Sequence, residues 1–395
     1  METTAAFAGL RCTDCGTVHG ADVAHRCPDC GGSLDATYDY DAADVSPADL
    51  EPDASAGIAA YADLLPFPAD ALVTAGEGAT PLVACPGLAD DLGVAEVYVK
   101  DEGHNTTGAA LDRGLALAVT AAAATHDATD VAVPSMGNGG QAAAAYAARA
   151  GLESHSFVPS RTPFVNKAMI NVHGGDMSVV GGRYADAVDA FEEAMSEEDW
   201  YSLAAFETPY RHEGAKTLAY EIAAQSDWTA PDAVVHPTGH GTELVGLHRG
   251  ARELAELGLV DGEPRLYAAQ AGGCAPIAAA WEDGAEDTEV WETPDTIVGP
   301  LEIPDPAGGS RVIDALEATG GAAVATGDQA ILEGAVTLAE AGITMGASGG
   351  AAYSGAQTLA EQGAFDPDDV VVLVNPTTGN KEADILRSHL MSKGI

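Results

Sequence analysis

The chain has 395 residues, 46% of them hydrophobic, enough for a small module and two lobes of ordinary domain size with sizeable cores. Its formal net charge is −44, from 61 acidic and 17 basic residues, and no basic stripe exists to meet phosphates, which argues against a nucleic-acid partner. No uncharged apolar run reaches the roughly 18 residues of a membrane span, and the first ten residues lack the basic start of a signal peptide; neither a membrane nor secretion is expected, and the protein is placed in the cytoplasm.

The acidic residues are spread along the whole chain and form no tail. One reading is a surface that grips a polyvalent cationic partner. The other is a halophilic protein, because screening shortens the Debye length to about 3 Å at 1 M salt and makes crowded carboxylates tolerable. The even spread favours the salt-adapted reading.

In chain order, the first segment, Arg11 to Tyr40, is rich in Cys, Gly and Asp. It contains Cys12-x-x-Cys15 and Cys27-x-x-Cys30, separated by eleven residues. Each pair lets two thiolates grip one ion from a tight turn, and four sulfurs suit tetrahedral zinc. Four cysteines also close the coordination shell, so such a site is structural. Rubredoxin-type iron would use the same ligands, and a cytoplasmic location disfavours disulfides. Residues 1–40 are therefore read as a zinc ribbon with Cys12, Cys15, Cys27 and Cys30 as ligands. Cys85 and Cys274 stand alone, as core thiols or surface cysteines. An acidic linker is expected from Asp41 to about Asp70, and residues 41–95 are read as that linker and the start of a large lobe.

Beyond it, short apolar runs alternate with longer Ala-rich runs. The strand candidates are Glu96–Lys100, Val131–Ser135, His155–Pro159, Met177–Val180, Ala233–His236, Arg265–Gln270 and Val370–Val374. They are mostly continuous and not alternating, as suits strands covered on both faces. Tyr184, Val188, Phe191 and Met195 form one helical stripe, and Leu244, Leu247, Leu254 and Leu257 another. Strand–helix alternation implies parallel sheets joined by right-handed crossovers. More than 300 residues of this pattern imply two α/β lobes with a cleft, the small one over 96–205 and the large one over 206–395.

The motifs begin with Gly76-Glu-Gly-Ala-Thr80-Pro81-Leu82, then Tyr98-Val-Lys-Asp101-Glu102-Gly-His-Asn105-Thr-Thr-Gly108-Ala-Ala-Leu-Asp112-Arg113-Gly114. A strand ends at Lys100, a polar turn follows, and a helix starts near Gly108. A helix start beyond the carboxyl end of a strand is a standard place to hold an anion.

This run closely resembles the threonine synthases, whose pattern is GEGxTPL and then KDEGxNPTGSFKDRG. Ser135-Met-Gly-Asn138-Gly-Gly resembles their STGNT loop, and Thr208-Pro-Tyr-Arg-His-Glu-Gly-Ala-Lys-Thr217 their NPYRxEGxKT segment. His236-Pro-Thr-Gly239-His-Gly241-Thr242 sits where the family has PVGNGGT. Ala269-Gln270-Ala-Gly-Gly-Cys274-Ala-Pro276 resembles QAEGCAPI, and Gly346-Ala-Ser348-Gly the EPASA loop. In order and spacing the resemblance runs from Cys12 to Lys381. It implies an α/β, two-lobed fold-type-II pyridoxal-phosphate-enzyme fold with parallel sheets, an N-terminal zinc ribbon and a homodimer. It also implies a lyase of amino-acid biosynthesis acting on a small anionic amino-acid-like ligand. In the family, the lysine of SFKDR carries pyridoxal phosphate, the electron sink, and phosphate is eliminated from O-phosphohomoserine with addition of water to give threonine.

One position breaks the pattern. Aligned without a gap on NPTGSFKDRG, the family's lysine falls on Leu111, while Asp112, Arg113 and Gly114 match. Leucine has no nitrogen with which to form an imine or relay protons. Ala109 replaces a serine, Met136 a threonine, His240 an asparagine and Thr242 a glycine. The resemblance still assigns cofactor-binding roles to Asn138, to Gly239, His240, Gly241 and Thr242 as a phosphate cradle, and to Ser348 and Thr378 at the pyridine nitrogen. Ser135 and Arg113 are the candidate substrate contacts. The plain readings are that Asn138 sits in a turn, that Gly239–Thr242 is a strand–helix corner, and that Arg113 is salt-bridged. His104 and His240 are read as loop histidines. Among the five lysines, Lys100, Lys167, Lys216, Lys381 and Lys393, the best placed to substitute is Lys381, just after the Thr377–Asn380 loop. Three readings follow: a paralogue with lost or reduced lyase activity that holds pyridoxal phosphate non-covalently or another small anion, an active enzyme using another lysine, and a module whose ribbon carries the contacts.

Overall fold

The computed structural model describes residues 2–43, 45–53 and 55–394; Asp44 and Ala54, within the expected linker, lie outside them. The strands, in chain order, are β1 (Phe7–Cys12), β2 (Val18–His19), β3 (Leu34–Tyr38), β4 (Leu82–Ala84), β5 (Glu96–Asp101), β6 (Asp130–Pro134), β7 (Glu153–Pro159), β8 (Asp176–Val180), β9 (Tyr201–Ser202), β10 (Ala233–Pro237), β11 (Arg265–Ala271), β12 (Ala322–Thr326) and β13 (Val370–Asn375). The helices that bear on function are α1 (Leu111–Thr125), α2 (Asn138–Ala150), α3 (Tyr210–Ala215), α4 (Thr242–Glu256) and α5 (Ala347–Glu361).

Two compact units form. The first is Met1–Ala79 with Leu111–Ala224, and the second Thr80–Ala110 with Gln225–Ile395. The first unit has a small antiparallel sheet in the order β2-β1-β3 and a parallel sheet in the order β8-β7-β6-β9. The second is built on a six-stranded sheet, β12-β11-β10-β13-β5-β4, parallel except where β4 runs against β5. The central strands β10 and β13 are buried almost throughout, which is why their sequences are continuous apolar runs with no alternation. Their core includes Val235, Val371 and Leu373 packed with Ala351, Ala352 and Leu359 of α5. Every expected strand between Glu96 and Val374 is present.

The expected lobe boundaries need correction. The strand from Glu96 pairs with Val370–Asn375, so it belongs to the six-stranded sheet and not to a small lobe over 96–205. This pairing joins segments about 270 residues apart, which no local pattern announces. Residues 206–224 likewise fall in the first unit. The linker is also shorter than its composition suggests. From Gly57 onward the chain forms a 3-10 stretch with Ile58, Tyr61 and Leu64 buried, followed by buried Leu65 and Phe67. Tyr61 and Phe67 pack edge-on or tilted against Tyr220 and Tyr210, with ring centroids 5.5 and 5.2 Å apart. Short strands β4, β9 and β12 were not expected: two or three residues, or an Ala-rich five, give too little periodicity to read. No helix among the described residues is long and apolar enough to cross a membrane.

Candidate functional site

In the second unit, the turn after β5 is held firmly. The Glu102 carboxylate is buried and accepts from the Thr80 hydroxyl at 2.5 Å and the Asn105 amide at 2.8 Å. Asp101 accepts from the Asn375 amide at 2.6 Å; burial pushes its carboxyl up, and that bond partly offsets the shift. The turn then runs beside the loop after β13. Ala109 bridges Thr377, Ala110 N–H donates to Pro376 O, and Thr378 N–H donates to Gly108 O. The sequence thus builds a rigid platform immediately before position 111.

In the first unit, Leu111 opens α1. Its Cδ1 lies 3.8 Å from where a Cβ on Gly139 would stand, so the side chain faces the start of α2, beside the Ser135–Asn138 loop. Position 111 thus presents an aliphatic side chain to the start of α2. Ser135 Oγ accepts from Gly137 N–H and Gly140 N–H, both at 2.9 Å, and so caps α2. Asn138 Oδ1 accepts from the Asn166 amide at 3.1 Å. Both residues are accounted for by the turn they build, and both remain beside Leu111's neighbour Gly139.

Arg113 requires a correction. Its guanidinium is 1% exposed and donates through both terminal nitrogens to the two oxygens of Glu221, each at 2.7 Å. Glu221, fully buried, also accepts from Ala79 N–H at 2.7 Å. A bidentate buried pair of this kind fixes α1 in place and leaves Arg113 no role as a contact for a substrate anion. Glu77, from the Gly76-Glu77-Gly78 motif, is likewise structural: it accepts from Ala75 N–H and the Tyr146 hydroxyl, and burial pushes its carboxyl up.

Lys100 is buried and donates to Thr80 O and Gln225 Oε1. Lys216 pairs with Glu213 and stands 4.0 Å from the centre of the Tyr38 ring. Lys167 donates to Ser160 O, and Lys393 pairs with Glu333 at 2.9 Å. Lys381 is buried, and its Cε lies 3.6 Å from where a Cβ on Gly108 would stand. It is the lysine held against the turn that precedes Leu111.

The remaining cofactor candidates lie in the second unit. Gly241 has φ 93°, and a Cβ there would stand 2.4 Å from Val312 Cγ2. A Cβ on Gly239 would crowd Ile303 and Pro300 O at 3.1 and 3.2 Å. Both glycines are thus required by close packing within the unit. The cradle they form still ends at the N-terminus of α4, fifteen residues long and a favourable position for an anion. His240 accepts from Ala307 N–H at 3.3 Å through Nδ1, as a loop histidine does. The Thr242 hydroxyl donates to Glu243 at 3.0 Å. Ser348, in the first turn of α5, donates through its N–H and hydroxyl to Glu382 Oε2 at 3.1 and 3.0 Å. Glu382 is buried, its carboxyl is pushed up mainly by burial, and it caps α5 from a distant part of the chain. Thr378 is half-buried beside Gly108. Sequence reasoning missed Glu382, Glu221 and His236. An acid next to Lys381, an acid on an apolar helix and a histidine in a Val-rich strand give no local cue that they will be buried.

The candidate cofactor is tested by these residues. Within the second unit a phosphate would find the start of α4, while the Ser348 hydroxyl is already donated to Glu382. Within the first unit, the side chain at position 111 offers no nitrogen for covalent attachment.

At the N-terminus, the four cysteines are free and converge, with all four Sγ within 4.8 Å of one another. Cys12 and Cys30 are 3.4 Å apart and Cys15 and Cys27 3.7 Å, too far for a disulfide and close to the edge of about 3.8 Å set by zinc–sulfur bonds of about 2.3 Å. His19 Nε2 lies 3.3 Å from Cys27 Sγ. Cys85 and Cys274 are both buried, hence core thiols.

Comparison with known proteins shows the family. The family model described as pyridoxal-phosphate dependent enzyme matches residues 73–377. The threonine synthase of Methanosarcina acetivorans is 34% identical over 374 residues, covering 94% of this chain and 91% of that protein. The threonine synthase of Methanocaldococcus jannaschii is 33% identical over 380 residues, covering 95% and 93%. Among solved structures, a fungal L-serine ammonia-lyase from Rhizomucor miehei matches with TM-score 0.69 at 22% identity, covering 80% of this chain and 98% of that one. Maize serine racemase matches with TM-score 0.68 at 17% identity, covering 80% and 92%; these two likenesses concern the fold alone. The chain belongs to the pyridoxal-phosphate-dependent enzyme family, as a relative of the threonine synthases.

Proposed function

We propose that this protein is a threonine-synthase-like paralogue in which lyase activity is lost or strongly reduced, and that its retained scaffold holds a small anionic, amino-acid-like ligand or non-covalent pyridoxal phosphate. The single observation that carries the reading is Leu111 standing at the start of α1 against Gly139, where an imine-forming lysine is needed. Two further features support it. Lys100, Lys167, Lys216 and Lys393 are each engaged elsewhere, and the Ser348 hydroxyl is donated to Glu382. What the chain keeps is binding geometry: the Ser135-capped start of α2 and the glycine-lined start of α4. The test is turnover of O-phosphohomoserine by the purified full chain with added pyridoxal phosphate. Absence of threonine above background is expected; robust turnover contradicts the reading.

A second reading, an active enzyme using another lysine, is favoured by one observation. Lys381 is buried against Gly108, three residues before Leu111. Borohydride reduction followed by peptide mapping separates the readings, because only the second leaves a pyridoxyl group on Lys381.

The four cysteines are read as a structural zinc site, supported by free thiols at near-tetrahedral spacing. A ribbon that acts as a free partner-binding module is disfavoured, since the loop between its cysteine pairs is bonded to the rest of its own unit. The acidic surface is read as adaptation to high salt, and a homodimer is the assembly the resemblance supports.

A further inference from the structure

The cysteine module is fastened to one segment of its own unit. The loop between the cysteine pairs lies on residues 201–210. The Tyr201 hydroxyl donates to Ala24 O and the Tyr210 hydroxyl to Ala21 O, both at 3.1 Å. Ser202 N–H donates to His25 Nε2 at 3.1 Å, and Arg26 Nε donates to Glu207 at 2.8 Å. Strand β3 adds a second row. His212 Nε2 and Asp35 are 2.8 Å apart, and the Tyr38 hydroxyl donates to Glu213 at 2.5 Å. Tyr201, Tyr210, His212 and Glu213 are buried and their ribbon partners half-buried, so these bonds are partly shielded from water, except the exposed Arg26–Glu207 pair.

Helix α3, which carries Tyr210, His212 and Glu213, lies directly on α1. A Cβ on Gly114 would stand 2.4 Å from Arg211 O, and one on Gly214 would stand 2.4 Å from Arg113 O. Backbones this close cannot slide independently, because packed interiors rearrange in discrete steps and do not deform smoothly. The loop fastened to α3 ends at Cys27, and β3 begins four residues after Cys30. An ion that ties these cysteines to Cys12 and Cys15 therefore fixes both ends of the fastening.

We propose that metal loading of the four cysteines sets the position of α3 and, through the Gly114–Gly214 crossing, the first turn of α1, where Leu111 stands against α2. Metal content is then a control on the ligand-holding part of this unit, beyond its role in folding the ribbon. This inference rests on the metal reading above.

The test is amide hydrogen exchange on the full chain in high salt, with metal content measured on the same samples, after chelator treatment and after zinc is restored. Residues 111–118 and 208–217 are predicted to exchange roughly tenfold faster without metal, the effect of losing about one buried hydrogen bond, and to recover with zinc. Strands β7 and β8 of the same unit are predicted to stay unchanged. If zinc binds but the change stays within residues 7–38, or rises equally across the whole unit, the proposal is overturned while the metal reading stands. If no metal binds, both fall. The triple variant Y38F/Y210F/H212L, which cuts both rows of bonds to α3, keeps all four cysteines and is predicted to bind zinc while losing the metal-dependent difference at 111–118. An undiminished difference there also overturns the proposal.

Discussion

Two regions of the first unit carry chemistry in their sequence, and they have fared differently. At the N-terminus all four cysteines are present and their sulfurs converge. At the start of α1, Asp112, Arg113 and Gly114 follow a leucine where the resemblance leads one to expect a lysine. The first region brings four thiols together on its scaffold, and the second has its scaffold with an aliphatic side chain at position 111. The lesson is that motif survival and chemical survival are separate questions. Arg113 pairs with Glu221, and Arg211 O leaves no room for a side chain at Gly114. Such residues stay fixed by packing whether or not a reaction takes place.

The comparison can be sharpened by substitution. The largest effect is expected at the cysteines: Cys27→Ser should abolish tight zinc binding and lower the melting temperature markedly, because metal-binding energy in such modules is folding energy. A metal assay with a thermal melt checks this. Next, Arg113→Ala should cost about 3–5 kcal/mol in denaturant unfolding, because it strands the Glu221 carboxylate in the interior. The paired change R113M/E221L should cost much less. If Arg113→Ala instead left stability intact and weakened only ligand binding, the substrate-contact reading would return. Gly214→Ala should cost about 1–3 kcal/mol by forcing α1 and α3 apart, measured the same way.

Smaller effects come from solution conditions. Burial, then the charges of Arg252 and Arg249, depress His248 to about 4, and burial also depresses His236. A histidine held below its ordinary value of 6.5 contributes stability that is present above pH 6.5. That contribution is lost as pH falls toward about 4. Thermal melts across this window should show the decline, and His248→Gln should reduce it. Finally, raising potassium chloride from about 0.1 to 1 M should raise the melting temperature, since it shortens the Debye length from about 10 to 3 Å across a chain of net charge −44. A melting temperature indifferent to salt would count against the halophilic reading.

Much of this was legible in the sequence. The buried strands β10 and β13 read as apolar runs, and the cysteine spacing pointed to four thiols that do converge, because both are local patterns. Three things were hidden. The place of β5 in the six-stranded sheet depends on pairing with a strand near the other end of the chain. The roles of Glu221 and Glu382 depend on partners about 108 and 34 residues away. The packing of residues 57–67 was masked by an Ala-, Asp- and Pro-rich composition that resembles a linker, although Ile58, Leu64 and Phe67 are fully buried there.

The central claim is that Leu111 has ended covalent pyridoxal-phosphate chemistry. The most direct measurement is an absorbance spectrum of the full chain with added pyridoxal phosphate in high salt, before and after borohydride, with Leu111→Lys alongside. The account predicts that the native chain shows only free aldehyde that dialyses away. It also predicts that the lysine variant gains an absorbance band that reduction fixes to residue 111. A band that reduction fixes to any lysine of the native chain would contradict it.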